Sequence, residues 1–155
     1  MGKYFMHRIQ KEDGAYSKGI EVHDTLDSAV LSFWGRMKLA YGMIPSITFV
    51  SCKITDDSGN NIIPYDATWR AESETDEKFF LHYIRTDGGV INKNIDIMEN
   101  YDTACGNLAA QMEYGYNNPR HPNVSFVSCE ITGMDGFIRT SETWNKPVDT
   151  PSEAS

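Results

Sequence analysis

What this sequence lacks narrows its function more than what it contains. It has three cysteines, Cys52, Cys105 and Cys129, and none forms a C-x-x-C pair. Neither a disulfide framework nor a zinc ribbon is therefore expected, and reduced thiols in a cytoplasmic setting are the default. No stretch approaches the roughly 18 apolar residues of a membrane-crossing helix. The N-terminal MGKYFMHRIQ also lacks the apolar run of a signal peptide, so a soluble cytoplasmic protein is expected. Basic residues are in the minority, 14 against 22 acidic, and the formal net charge is −8. No segment gathers the Lys and Arg that grip phosphates, which argues against direct binding of nucleic acid. There is no phosphate-cradling glycine loop and no G-x-S-x-G, and His23, His121, Asp24, Asp27 and Asp102 lack the spacing of a metal site. Asp56-Asp57-Ser58-Gly59-Asn60 has the flavour of a calcium loop but not its closing Glu, and reads as a turn. No metal and no cofactor are expected.

What the sequence does have is a repetition. KYFMHRIQ…KGIEV…FVSCKIT…ATW over residues 3–69 returns as KFFLHYIR…KNIDI…FVSCEIT…ETW over residues 78–144. Each half is short enough to bury only about 60 % of its unfolded surface and would be marginal alone. Two halves packed on each other form one stable body. Residues 70–77 between them carry one basic and four acidic side chains and no periodicity, the pattern of an acidic linker. Residues 145–155 read as a disordered tail.

Within each repeat the apolar periods are clear. Phe5, His7 and Ile9 alternate with Tyr4, Met6 and Arg8 in the strand manner, the first three on an expected inward face and the second three on the face opposite. Asp13-Gly14 and Gly88-Gly89 are hairpin signals, and each predicts a returning strand, with Ile20 and Val22 inward in the first. Leu26, Ala29, Val30, Phe33, Met37 and Ala40 form one helical stripe, capped by Asp24 or Thr25 and ended by Gly42. Tyr101, Ala104, Cys105, Leu108 and Met112 repeat it after Asn100. A third strand places Val50, Cys52 and Ile54 on one face, and Pro64 confines the fourth to an edge or bulge. The prediction is an α+β fold: a tandem duplication of a β-β-α-β-β unit. Its sheet is mostly antiparallel with one helix per repeat, and the halves are related by a pseudo-two-fold.

Several residues are candidates for chemistry. His7 and His82 agree between the copies and sit between Phe and Ile. They read as structural core histidines bonded to backbone or to the facing helix, with a catalytic role as the alternative. Cys52 and Cys129 lie on another strand of the same sheet, which leaves a Cys–His pair open, although a structural role is the simpler reading. Tyr4, Arg8 and Tyr83 make the opposite sheet face apolar too, so that face meets either the other repeat or another chain. Trp34 is an aromatic of the first repeat alone, with Ala109 opposite it in the second. With the linker acids Glu72, Glu74, Asp76 and Glu77, these residues are the candidates for binding a protein partner.

The string KYFMHRI…KGIEVHDTLDSAVLSFWGRMKLAYG…FVSCKITDD resembles small repeat proteins of clostridia and their phages. The resemblance covers the first repeat well and the second more loosely, where LSFWGRMKLAYG has become GNLAAQMEYGYN. No activity is established for that group, so no functional residue carries over. It implies a phage or mobile-element accessory protein, a class in which inhibitors and assembly factors are common. The leading expectation is therefore a non-enzymatic protein-binding accessory protein. In its phage-encoded form this would act in the host cytoplasm, its acidic surface occupying the basic groove of a host defence or nucleic-acid enzyme. The alternative is a self-associating structural or assembly component of a virion. A further alternative is a small enzyme using His7 or His82.

Overall fold

Alternating apolar positions and two glycine-rich turns set up each half as a hairpin, a helix and a second hairpin. The computed structural model describes residues 2–41 and 43–147. The expected helix stop at Gly42, and residues 148–155 of the expected tail, lie outside the described residues. In chain order the elements are β1 (Tyr4–Glu12), β2 (Ala15–His23), α1 (Leu26–Met37), β3 (Ile47–Asp56) and β4 (Asn61–Arg70). They are followed by β5 (Phe79–Asp87), β6 (Val90–Met98), α2 (Tyr101–Met112), β7 (Val124–Gly133) and β8 (Ile138–Asn145). The fold is α+β, with two four-stranded antiparallel sheets of order β2-β1-β3-β4 and β6-β5-β7-β8, and one helix in each half.

Local chemistry accounts for the boundaries. The two-residue turns between β1 and β2 and between β5 and β6 hold positive φ at Asp13 (51°), Gly14 (80°), Gly88 (59°) and Gly89 (83°). That is the turn whose twist matches a hairpin. Thr25 caps α1 by accepting from the Ser28 N–H at 3.1 Å, and Asn100 caps α2 from the Thr103 N–H at 2.8 Å. α1 stops at Met37, and Ala40, expected in its stripe, is buried in the turn beyond it. β4, which contains Pro64, is an edge strand with a register shift opposite Lys53–Thr55. Such a position tolerates the missing N–H.

Both faces of each sheet are covered. On one face Met6, Val50, Cys52 and Ile54 pack under Ala29, Phe33 and Met37 of α1, and Leu81, Val127, Cys129 and Ile131 pack under Ala104, Leu108 and Met112 of α2. On the other face the two sheets meet. Phe5, Ile9, Ile20 and Phe49 of the first interleave with Phe80, Ile84, Ile95, Phe126 and Met134 of the second. The layers run helix, sheet, sheet, helix. Phe5 stacks on Phe126 with ring centroids 6.5 Å apart, and Phe49 on Phe80 at 5.8 Å. The β3–β4 and β7–β8 turns close against the opposite sheet so tightly that a Cβ at Gly59 would collide with Thr143, and one at Gly136 with Thr68. Their φ of 85° and 82° also require glycine.

Candidate functional site

The face bearing Phe5, His7 and Ile9 is inward, but what it faces is the second sheet and not a helix. His7 and His82 therefore meet each other. Their Nδ1 atoms are 2.9 Å apart, their rings are 5.0 Å between centroids, and each residue is 3 % exposed. His7 Nε2 reaches the Thr55 hydroxyl at 2.8 Å and His82 Nε2 the Thr132 hydroxyl at 2.9 Å. In a neutral pair one imidazole must carry its proton on Nδ1 and donate it to the other. The donor then accepts from its threonine through Nε2, while the acceptor ring donates through Nε2 to its own. All four side chains are satisfied, and the hydroxyls can serve either arrangement.

Burial holds both imidazoles neutral. It lowers His7 well below the ordinary histidine value, helped by the charges of His82 and Lys53. It lowers His82 to about 3, again with help from Lys53.

Beside this pair lies a buried ion pair. The Lys53 ammonium contacts Glu130 Oε1, with side-chain exposures of 5 % and 8 %. Asn61 Nδ2 donates to the other Glu130 oxygen at 3.0 Å. Sequence reasoning did not single out these two residues, yet a signal was present. Within the shared strand FVSCKIT/FVSCEIT they are the single difference, and it reverses the sign of the charge.

Cys52 and Cys129 belong to the helix-facing sides of β3 and β7, so each sheet separates its cysteine from its histidine. The Cys–His arrangement left open by the sequence is not formed. Burial pushes both thiols up to about 12, which keeps them protonated. Tyr4 and Tyr83 are partly buried under α1 and α2. Arg8 lies across β2 from Gly19, its guanidinium 3.6 Å from Glu21. The apolar second face of the first strand is thus covered by helix, neither by the other repeat nor by another chain. Among the described residues no cluster of three His, Cys, Asp or Glu is placed to hold a metal ion. None of their helices is long and apolar enough to cross a membrane.

The linker acids fold back onto the first half. Glu74, only 8 % exposed, accepts from the Thr48 hydroxyl at 2.8 Å, from Lys11 Nζ at 3.0 Å and from the Asp76 N–H at 2.9 Å. Asp76 accepts from Lys11 at 2.8 Å and from the Tyr16 hydroxyl at 2.9 Å. Arg70 donates to the Glu74 and Asp76 carbonyls and to the Glu77 carboxylate. The bond to Asp76 is the main reason the Lys11 ammonium is held more basic than usual. Glu72 and Glu77 remain exposed.

The first helix carries the most conspicuous surface. Trp34, 57 % exposed, stands edge-on to Phe33, and Leu31, one turn earlier, is 77 % exposed. Tyr41 and Met43, in the loop after α1, are exposed as well. In the second half the positions of Leu31 and Trp34 hold Gly106 and Ala109. Sequence reasoning named Trp34 and missed Leu31, although a spacing of three on a helix would have put the two side by side. Comparison of this chain with protein families, curated proteins and solved structures finds no match.

Proposed function

We propose that this chain is a duplicated ββαββ unit whose halves are joined about a pseudo-two-fold, and that it works as a non-enzymatic protein-binding accessory protein. Its binding surface is the Leu31–Trp34 side of α1.

The two-fold reading is supported by reciprocal contacts. In an interface of that symmetry, residue i touches j and j touches i. By the sequence repeat, Phe5 corresponds to Phe80 and Phe49 to Phe126, and the observed stacks are Phe5 on Phe126 and Phe80 on Phe49. Gly59 against Thr143 and Gly136 against Thr68 form a second reciprocal pair. His7 with His82, and Lys53 with Glu130, are equivalent positions that meet across the axis. In a dimer of identical units that last contact would oppose like charges. Fusion into one chain allows it to become an ion pair.

The observation that carries the binding reading is the Leu31 and Trp34 pair, exposed one turn apart in the half whose twin holds Gly106 and Ala109 at those positions. Aromatic anchors of this kind dominate protein interfaces. The net charge of −8 repels a second copy and favours a cationic partner. An apolar pocket within a basic protein surface fits that description, and the basic groove of a nucleic-acid enzyme is one such surface. The acids that would mimic nucleic acid are not those of the whole linker. Glu74 and Asp76 are committed to Lys11, which leaves Glu72, Glu77 and the exposed carboxylates of the sheets. The sealed histidine pair supports a structural rather than a catalytic role for His7 and His82.

Sedimentation and affinity capture with the Leu31→Ser/Trp34→Ser variant test this reading. A monomer that loses a basic, salt-sensitive partner on substitution supports it. A wild-type oligomer dissolved by the same substitution would support self-association through this face instead.

A further inference from the structure

Strands β1–β4 form one sheet and β5–β8 the other, so strand pairing stays within each half. Across the face between them the halves are held by side chains, among them Phe5 on Phe126, His7 with His82 and Lys53 with Glu130. Nothing in such a face requires that both sheets come from one chain. The first half of one copy and the second half of another would make the same contacts, and two copies exchanging halves would make them twice. Which pairing forms is decided by the segment between β4 and β5.

That segment is turned back on the first half. The Glu74 N–H donates to the Ala71 carbonyl at 3.0 Å, closing a turn, and Arg70 donates to the Glu74 carbonyl at 3.1 Å and the Asp76 carbonyl at 2.7 Å. Lys11, Tyr16 and Thr48, whose side chains hold the Glu74 and Asp76 carboxylates, all belong to the first half. Tyr16 links this seat to the sheet-to-sheet face. Its hydroxyl donates to Asp76 at 2.9 Å, and its ring meets Phe80 edge-on with centroids 5.9 Å apart. Three residues, Glu77, Lys78 and Phe79, separate Asp76 from Phe80. With Asp76 seated, the Phe80 delivered to Tyr16 is therefore that of the same chain. Sending the second half to another copy requires Asp76 to leave Tyr16 and Lys11. Once released, the extended segment 71–78 reaches about 26 Å at roughly 3.3 Å per residue, against a spacing of roughly 10 Å between packed sheets.

We propose that the seated 71–77 segment is a latch that selects pairing within one chain, and that two copies whose latches are open exchange halves and dimerise through the same sheet-to-sheet face. The exchanged dimer keeps the inter-sheet contacts and gives up the latch and the high effective concentration of a short connection. The partner is thus a second copy of this chain, met through the interior face and not through Leu31 and Trp34.

Sedimentation of a chain lacking residues 72–76 tests the proposal. The deletion leaves three connecting residues, about 10 Å of extended chain, too little to turn back across the spacing of the sheets. This chain is expected to fold and to sediment with twice its own mass. In Glu74→Ala/Asp76→Ala, which keeps the length of the segment, dimer should appear at a chain concentration at least about tenfold below that needed by wild type, the equivalent of one charge-assisted hydrogen bond. Lys53 and Glu130 identify the face. Added to the deletion, Lys53→Glu alone or Glu130→Lys alone opposes like charges in the interface and should abolish the dimer. An equimolar mixture of those two chains, unfolded and refolded together, places opposite charges at both interfaces when halves are exchanged, and should give a one-to-one dimer. A deletion chain that is monomeric or unfolded would overturn the proposal. So would a dimer that either charge variant forms alone as readily as the mixture does.

Discussion

Two imidazoles that meet Nδ1 to Nδ1 can share one proton between those atoms but have no room for two. Burial lowers both below the ordinary histidine value, so the unfolded chain takes up protons that the folded chain refuses. A depressed folded value contributes stability that is fully present above about pH 6.5 and lost as pH falls below it. Between pH 6.5 and 5 the carboxylates are still ionised, which isolates the histidines. Denaturant titrations in that window should show stability falling by up to about 2.7 kcal/mol per pH unit, two protons at about 1.36 each. The slope should flatten in the His7→Gln/His82→Gln variant. An unchanged wild-type stability from pH 7 to 5 would contradict the buried neutral pair. Lys53 and Glu130 give a second test. Lys53→Met leaves a buried carboxylate with only Asn61, at an expected cost of about 3–5 kcal/mol, whereas Lys53→Met/Glu130→Met should recover most of it. The agreement of His7 with His82 in the sequence signalled burial but not the partner. Alternation assigns a side chain to a face of a strand and is silent about what packs there.

Hairpins, caps and helical stripes were legible because each is fixed by a few neighbouring residues. Asp13-Gly14, Gly88-Gly89, Thr25 and Asn100 perform the local tasks their chemistry suggests. The 70–77 segment was not legible, because its order depends on Lys11, Tyr16 and Thr48, which are distant in the chain. Its four acids should therefore respond unequally. Glu74→Lys places a second cation beside Lys11 in a buried site and should cost several kcal/mol, read as a drop in urea midpoint. Glu72→Lys/Glu77→Lys alters exposed positions, losing only the surface ion pair of Glu77 with Arg70, and should stay within about 1 kcal/mol of wild type. Equal losses from both would mean that the segment is held some other way. Reversing all four acids at once would confuse lost binding with lost folding, so the exposed pair is the proper probe of an acidic surface.

At the scale of the molecule, the apolar character of both sheet faces has a simple cause: each face is covered, one by a helix and the other by the second sheet. Sequence periodicity predicted two covered faces and exchanged their covers. It placed the helix over Phe5, His7 and Ile9, where the second sheet lies, because both covers demand the same alternation of apolar residues. The residues the repeats share thus build the interior, and the binding function proposed above is placed on the surface where they differ. Leu31 and Trp34 are the clearest such difference, and their exposure means that they contribute little to stability. The most direct test is a paired capture from extract of the source cell, with wild type and Leu31→Ser/Trp34→Ser as baits of matched melting temperature. The account predicts a basic protein that is retained by wild type, released by raised salt and missing from the variant. The same set of proteins on both baits would contradict it.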